Sequence, residues 1–273
     1  MSPDGAVDIA GAAIADWIAA HRGPRPLVVG LCGAQGSGKS TLAGDLVARL
    51  ERAGHRTTIL SLDDLYRSAA ARAALGRSVH PLLAVRGVPG THDAALGLTL
   101  LDRLARHGPV EMPRFDKAID DRVAPVTVEA PFDIVLFEGW CVGARPQDVE
   151  ELAAPVNALE TERDPEGIWR RRVNAMLAGP YRALFDRIDR LILLAAPGFD
   201  IVHRWRAEQE DGLRARDPGG ARLMDAAAIA RFIQHYERLT RHILAEMPGR
   251  ADLTLHLDTN RRVLRAETKE PSR

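Results

Sequence analysis

Residues 28–41 read Val28-Val29-Gly30-Leu31-Cys32-Gly33-Ala34-Gln35-Gly36-Ser37-Gly38-Lys39-Ser40-Thr41. A β-branched apolar run enters a glycine-rich turn, and the turn opens into an amphipathic helical pattern. Gly33, Gly38, Lys39 and Ser40 fill every fixed position of the G-x-x-x-x-G-K-[ST] phosphate-loop pattern. Glycine lets the backbone curl so that successive N–H groups of residues such as Gly36, Ser37 and Gly38 point at phosphate oxygens. A helix starting near Lys39 adds the positive end of its dipole. Lys39 supplies a mobile charge for the β- and γ-phosphates, and Ser40, followed by Thr41, offers a hydroxyl to Mg²⁺. A strand that leads into a helix through such a turn commits the chain to an α/β architecture that binds nucleotide.

The pattern continues in the same sense. Residues 6–21, with Ile9, Ile14, Trp17 and Ile18, predict a helix that ends before Gly23-Pro24. Residues 26–32 predict a strand buried on both faces, and Leu42, Leu46, Val47 and Leu50 mark the core side of the next helix, capped by Gly54. A second strand follows at 57–62. Strand, helix, strand is a βαβ unit, which implies a right-handed crossover and parallel pairing. Residues 69–91 predict a helix and then a shaped loop, Arg86-Gly87-Val88-Pro89-Gly90-Thr91-His92-Asp93, with Asp93 or Thr91 capping a helix built on Leu96, Leu100, Leu101 and Leu104. Residues 109–125 are polar and read as a loop. Further strands are expected at 132–137, 190–196 and 252–257, helices within 148–188 and at 225–247, and a loose charged tail from Asn260. The expected fold is therefore one α/β domain, a three-layer α/β/α sandwich with a mostly parallel central sheet and an inserted helical cap or lid. Its parts are an N-terminal helix (1–24), a core (27–258) and a tail (259–273).

Composition excludes several classes. Thirty-seven basic residues balance 37 acidic ones, so nothing attracts the chain in bulk to nucleic acid or to an anionic membrane. No apolar run approaches transmembrane length, and the first residues carry acid where a signal or transit peptide would be basic or apolar. Cys32 and Cys141 make no disulfide framework, and a cytoplasmic setting is expected. Only three of the basic residues are lysine: Lys39, Lys117 and Lys269. Against so much arginine, Lys117 in a polar loop marks a place where a compact ammonium is preferred.

Two acids stand where strands end. Ligands of open α/β sheets lie outside the carboxyl ends of the strands. Asp63 and Asp64 follow the second strand, one expected to cap the helix near Leu65 and the other to face the site. Glu138 follows Phe132-Asp133-Ile134-Val135-Leu136-Phe137, the arrangement in which a strand-end acid holds Mg²⁺ beside the phosphate loop. In the segment His203-Arg204-Trp205-Arg206, the arginines are two apart and cannot share a helix face. One of them, Arg206 or Arg204, is a candidate lid arginine for the transferring phosphoryl group. The guanine-reading Asn-Lys-x-Asp motif is absent. An acid near the phosphate loop and two polar loops favour a small-molecule kinase over a nucleotide switch with weak ATPase activity.

The stretch Ser61-Leu62-Asp63-Asp64-Leu65-Tyr66 resembles the S-x-D-x-[FL]-Y segment of the uridine kinase, phosphoribulokinase and pantothenate kinase group of P-loop kinases. Arg86 to Asp93, Pro113-Arg114-Phe115-Asp116-Lys117-Ala118, Phe137-Glu138-Gly139-Trp140 and Trp205-Arg206-Ala207-Glu208-Gln209-Glu210 together resemble the D-glycerate 3-kinase family, from about Leu27 to Asp258. Where that family tends to carry glycine, aspartate and arginine, this chain reads Asp120-Asp121-Arg122. The resemblance implies an ATP- and Mg²⁺-dependent kinase with Asp63 as the base. It implies a small hydroxy acid as acceptor, D-glycerate first, with a nucleoside, pantothenate or a sugar phosphate as alternatives. Asp64 and Tyr66 then line the acceptor pocket, and Arg86, Arg114, Lys117 and His92 are the candidate partners of the acceptor's carboxylate.

Overall fold

The computed structural model describes residues 3–21, 26–216 and 225–269. Gly23 and Pro24, and the last four tail residues, lie outside the described residues, as does the side chain of Ile9.

The elements follow the sequence pattern closely around the phosphate loop. Helix α1 (Pro3–Ala20) precedes β1 (Leu27–Gly33), α2 (Lys39–Arg52) and β2 (Thr57–Ser61). A 3₁₀ turn (Leu62–Leu65), α3 (Ala69–Ser78) and α4 (Ala94–Leu104) come next. Then come β3 (Gly108–Asp116), β4 (Asp121–Ala130) and β5 (Ile134–Gly139). The cap holds α5 (Ala158–Arg163), α6 (Ile168–Met176), a π turn (Leu177–Tyr181) and α7 (Arg182–Phe185). The chain returns through β6 (Arg190–Ala195), α8 (Asp200–Arg216), α9 (Ala226–Glu246), β7 (Leu253–Leu257) and β8 (Val263–Thr268).

Among the described residues, six strands form one sheet in the order β2-β5-β1-β6-β7-β8, parallel except for β8. Strands β1 and β5 are buried at every position. Their side chains alternate between two cores. One holds Val28, Val135, Phe137 and Leu193 against α4, the cap and part of α9. The other holds Val29, Leu31, Leu136 and Ile192 against α1, α2 and α8. This is the three-layer sandwich. Helix α9 touches both cores because Ile229, Ile233, Tyr236, Leu239 and Ile243 recur at helical spacing. Asp225 caps it by accepting from the Ala228 N–H at 2.7 Å.

Two expectations are corrected. Residues 109–125 are no loop but most of the antiparallel β3–β4 hairpin, which forms a sheet of its own. The pattern hides the strand because β4 is largely exposed, with Val123 and Val126 open to solvent, so its apolar residues do not alternate with a buried face. Residues 263–268 are no loose tail but β8, held by backbone pairing to β7. An edge strand with little buried apolar surface carries almost no sequence signal. Among the described residues no helix is long and apolar enough to cross a membrane.

The cap is fixed by buried charge. Arg238 of α9 meets the fully buried Glu160 at 2.7 Å, and Arg170 meets Asp164 at 3.2 Å. Pro180 lies inside the π turn and has no N–H to give, so the helical register widens there. That turn presents Tyr181 to the interior, where it is fully buried.

Candidate active site

Parallel pairing sets the carboxyl ends of β1, β2 and β5 side by side. Glu138 lies in register with Ser61 on one side and Leu31 on the other. The phosphate loop leaves β1 at Gly33, and α2 begins at Lys39 with Gly38 as its left-handed N-cap. Gly36 and Gly38 both have positive φ, 75° and 88°. At Gly36 a side chain is excluded twice over, since a Cβ there would lie 2.6 Å from Cβ of Trp205 and 2.9 Å from its backbone. Helix α8 is thus seated directly on the loop through the fully buried Trp205. Arg261 completes the seat: its Nε donates to the Gly36 carbonyl, Nη2 pairs with Glu208 at 2.6 Å, and its guanidinium lies 5.2 Å from the Trp205 ring centroid.

The expected metal donors fit. Glu138 is buried, its Oε1 accepts from the Ser61 hydroxyl at 2.7 Å, and its Oε2 has no partner among the described residues. A buried carboxyl oxygen without a partner costs free energy unless something binds it. The strand that carries Glu138, β5, lies next to β1, which leads through the phosphate loop to an exposed Ser40 at the first turn of α2. The buried Ser37 hydroxyl on the phosphate loop also lacks a partner among the described residues.

Neither aspartate after β2 caps a helix, since the segment is a 3₁₀ turn with no side-chain cap. Both instead receive the β3–β4 hairpin. Asp64 accepts from the Phe115 N–H at 3.0 Å and from Arg114 at 2.9 Å. Burial raises its pKa, against the pull of those two donors. Asp63 meets Lys117 at 2.6 Å. Burial alone would raise the Asp63 carboxyl, but the ammonium groups of Lys117 and Lys39 outweigh it and hold it well below the usual carboxylate range. The lysine singled out by composition therefore reaches the candidate base.

The other candidate pocket residues divide clearly. Arg86 is paired with Asp120, which also meets the buried Arg72 at 2.7 Å. Arg114 is spent on Asp64. Tyr66 is buried, stacked on His92 with ring centroids 4.2 Å apart and tilted against Phe115 at 5.0 Å. His92 was expected among the cations. Burial instead lowers its pKa to about 3, so the ring is neutral at physiological pH. Asp93, not Thr91, caps α4, accepting from the Leu96 N–H at 3.1 Å. Thr91 shapes the loop by donating to the Val88 carbonyl at 2.7 Å. The two arginines of α8 do diverge: Arg204 donates to the Thr259 carbonyl, whereas Arg206 lies 5.9 Å from the Phe232 ring centroid on α9.

For five residues of this neighbourhood the sequence gives no sign of the contact they make. Ser61, first residue of the kinase-like stretch at the end of β2, meets Glu138 because the two are in register. Trp205, which opens the family-like block ending at Glu210, and Arg261 act because distant segments converge on Gly36. Asp120 sits at φ 59° in the hairpin tip, a left-handed position that aspartate tolerates. Tyr181 falls within 148–188, where the helical pattern alone does not mark a buried phenol.

A family model described as methylmalonyl Co-A mutase-associated GTPase MeaB matches residues 9–77, the segment from α1 through the phosphate loop to α3. An uncharacterized kinase of Schizosaccharomyces pombe, mug58, is 33% identical over 257 residues, covering 87% of this chain and 90% of that protein. The chloroplastic D-glycerate 3-kinase of Arabidopsis thaliana is 30% identical over 257 residues, covering 86% of this chain and 53% of the plant protein, so the chain spans about half its length. The solved D-glycerate 3-kinase from Cryptococcus neoformans superposes with a TM-score of 0.77 at 25% identity, covering 96% of this chain and 99% of that one.

Proposed function

The chain belongs to the D-glycerate 3-kinase family of P-loop kinases, and from that premise we propose that it transfers the γ-phosphoryl group of ATP to a hydroxyl of a small acid, D-glycerate, giving 3-phosphoglycerate. The observation that carries the reading is Asp63. It is an ionised carboxylate at the end of β2, one strand from Glu138 and beneath a hairpin that brings Lys117 onto it at 2.6 Å.

The phosphate loop binds the triphosphate through the N–H groups of residues 36–41, with Lys39 on the β- and γ-phosphates. Ser40 and Glu138 would hold Mg²⁺, which when bound neutralises charge on the phosphate oxygens. Asp63 orients the acceptor hydroxyl and takes its proton late, as the new O–P bond forms and the bond to the leaving ADP oxygen breaks. Lys117 keeps that carboxylate deprotonated. Arg206, on the face of α8 turned toward α9, supplies positive charge to the moving phosphoryl group. Trp205 and Arg261 hold α8 against the loop, which excludes water from one side of it.

The test is ADP release from ATP and Mg²⁺ with a panel of acceptors: D-glycerate, L-glycerate, uridine, pantothenate and ribulose 5-phosphate. Stimulation by D-glycerate above the others supports the proposal. Stimulation only by another acceptor replaces glycerate, and stimulation by none removes the kinase reading in favour of a nucleotide switch.

A further inference from the structure

Four side chains were candidates for holding the acceptor, and three of them are already paired within the protein. Arg86 meets Asp120, Arg114 meets Asp64 and Lys117 meets Asp63. His92 differs. It is 1% exposed, and its Nε2 has no hydrogen-bond partner among the described residues.

The other ring nitrogen fixes what Nε2 must be. Nδ1 lies 2.6 Å from the Tyr181 hydroxyl. That same hydroxyl oxygen accepts from the Gly90 N–H at 3.0 Å and the His92 N–H at 3.2 Å. A phenol oxygen has two lone pairs and one proton. With both lone pairs occupied by backbone donors, the phenol proton has to go to Nδ1. Nδ1 is therefore the acceptor, and in a neutral imidazole the ring proton sits on Nε2. Protonating both nitrogens would set two donors against each other at 2.6 Å.

This leaves a buried N–H donor with no acceptor among the described residues, held by its neighbours. The ring is stacked on Tyr66 and meets Tyr181 edge-on at 5.8 Å. The backbone pairs with the segment that carries the candidate base: Asp93 N–H donates to the Leu65 carbonyl at 2.8 Å, and Arg67 N–H to the Thr91 carbonyl at 2.9 Å. The charged groups around it are Asp63, Arg67 and Arg72. The first favours the charged ring and the other two oppose it, while burial dominates all three.

We infer that His92 is the neutral donor of the acceptor site, giving its Nε2–H to an oxygen of the phosphoryl acceptor other than the one that reacts, and that Tyr181 is the positioning residue that fixes this tautomer. The inference rests on the kinase reading and deepens it. The acceptor class is a small polyol or hydroxy acid with an oxygen close to the reacting hydroxyl. A neutral donor suits that task because it adds no further cation to the Lys117 and Lys39 ammonium groups that already act on Asp63.

The direct test is the tautomer itself. Long-range ¹H–¹⁵N correlation on the full-length ¹⁵N-labelled protein at pH 7 should show His92 with a protonated Nε2 and a bare Nδ1. A protonated Nδ1, alone or with Nε2, overturns the inference whatever the activity. Adding D-glycerate should move the Nε2 resonance, and no movement at a concentration that saturates turnover overturns it too. In kinetics, His92→Phe should raise KM for the acceptor about tenfold, the worth of one unmade hydrogen bond in a buried site, with KM for ATP unchanged. His92→Gln, which restores an N–H near the same place, should recover most of that loss. Tyr181→Phe should reduce the Nε2-protonated population and raise the same KM. Equal acceptor KM in wild type and a folded His92→Phe defeats the inference and leaves the kinase reading intact. Absence of turnover with every acceptor defeats the kinase reading, while the tautomer measurement still reports on the Tyr181 lock.

Discussion

Replacing Gly36 by alanine tests the seating of α8 on the phosphate loop, and Gly38→Ala is its control. Both positions have positive φ, so an alanine at either one carries the left-handed penalty of about 1–2 kcal/mol. They differ in surroundings. A Cβ at Gly38 meets nothing within 4 Å, whereas one at Gly36 lies 2.6 Å from Trp205 Cβ and 2.9 Å from the Trp205 carbonyl carbon and oxygen. Those atoms belong to a helix and a fully buried indole, so no flexible side-chain end can yield. Overpacking of this kind adds about 1–3 kcal/mol. Gly36→Ala should then cost about 2–5 kcal/mol and Gly38→Ala about 1–2. At about 2 °C per kcal/mol for a chain of this size, the nucleotide-free Tm should fall by roughly 4–10 °C in the first and 2–4 °C in the second. Thermal unfolding followed by circular dichroism, without ATP, reads both. Equal Tm values would refute the claim that Trp205 closes on the loop.

Other consequences follow from single contacts. Lys117→Met removes one of the two ammonium groups that hold Asp63 below the usual carboxylate range, and Lys39 remains. The Asp63 carboxyl, and with it the acid limb of kcat/KM, should move upward; an unmoved limb would exclude the contact from the working enzyme. Asp120→Asn leaves Arg86 without its counter-charge, so KM for a carboxylate acceptor should fall about threefold or more. The same change should lower stability by about 1–3 kcal/mol in chemical denaturation, because the buried Arg72 loses a charged partner. Glu138→Gln keeps an oxygen for Ser61 but weakens the metal donor, and the Mg²⁺ concentration giving half-maximal rate should rise about tenfold; an unchanged metal titration would remove Glu138 from the metal. Asp63→Asn should cut kcat by about 10²–10⁴ with ATP binding retained, and near-normal turnover would rule out its role as base.

What could be read from the sequence was what is local. The phosphate loop needs glycine and lysine at fixed spacing along one turn, and β1 and β5 are apolar throughout because both their faces are buried. The acids at strand ends followed from that. What escaped depends on distant chain segments. The β3–β4 hairpin holds its place through Asp63, Asp64 and Arg72, all outside it, and most of its own residues are exposed or half-buried. The β7–β8 turn carries Arg261 to the Gly36 carbonyl across more than 200 residues of sequence. His92 was legible as a pocket residue but not as a neutral one, since its charge state is set by burial and by Tyr181 on the cap.

The central claim is that phosphoryl transfer ends on a small acid and not on water. Phosphorus NMR of the protein with ATP, Mg²⁺ and D-glycerate reads that outcome in one spectrum. The account predicts a growing phosphate monoester resonance that matches 3-phosphoglycerate, in step with ADP. Inorganic phosphate growing with ADP, and no monoester, would contradict it.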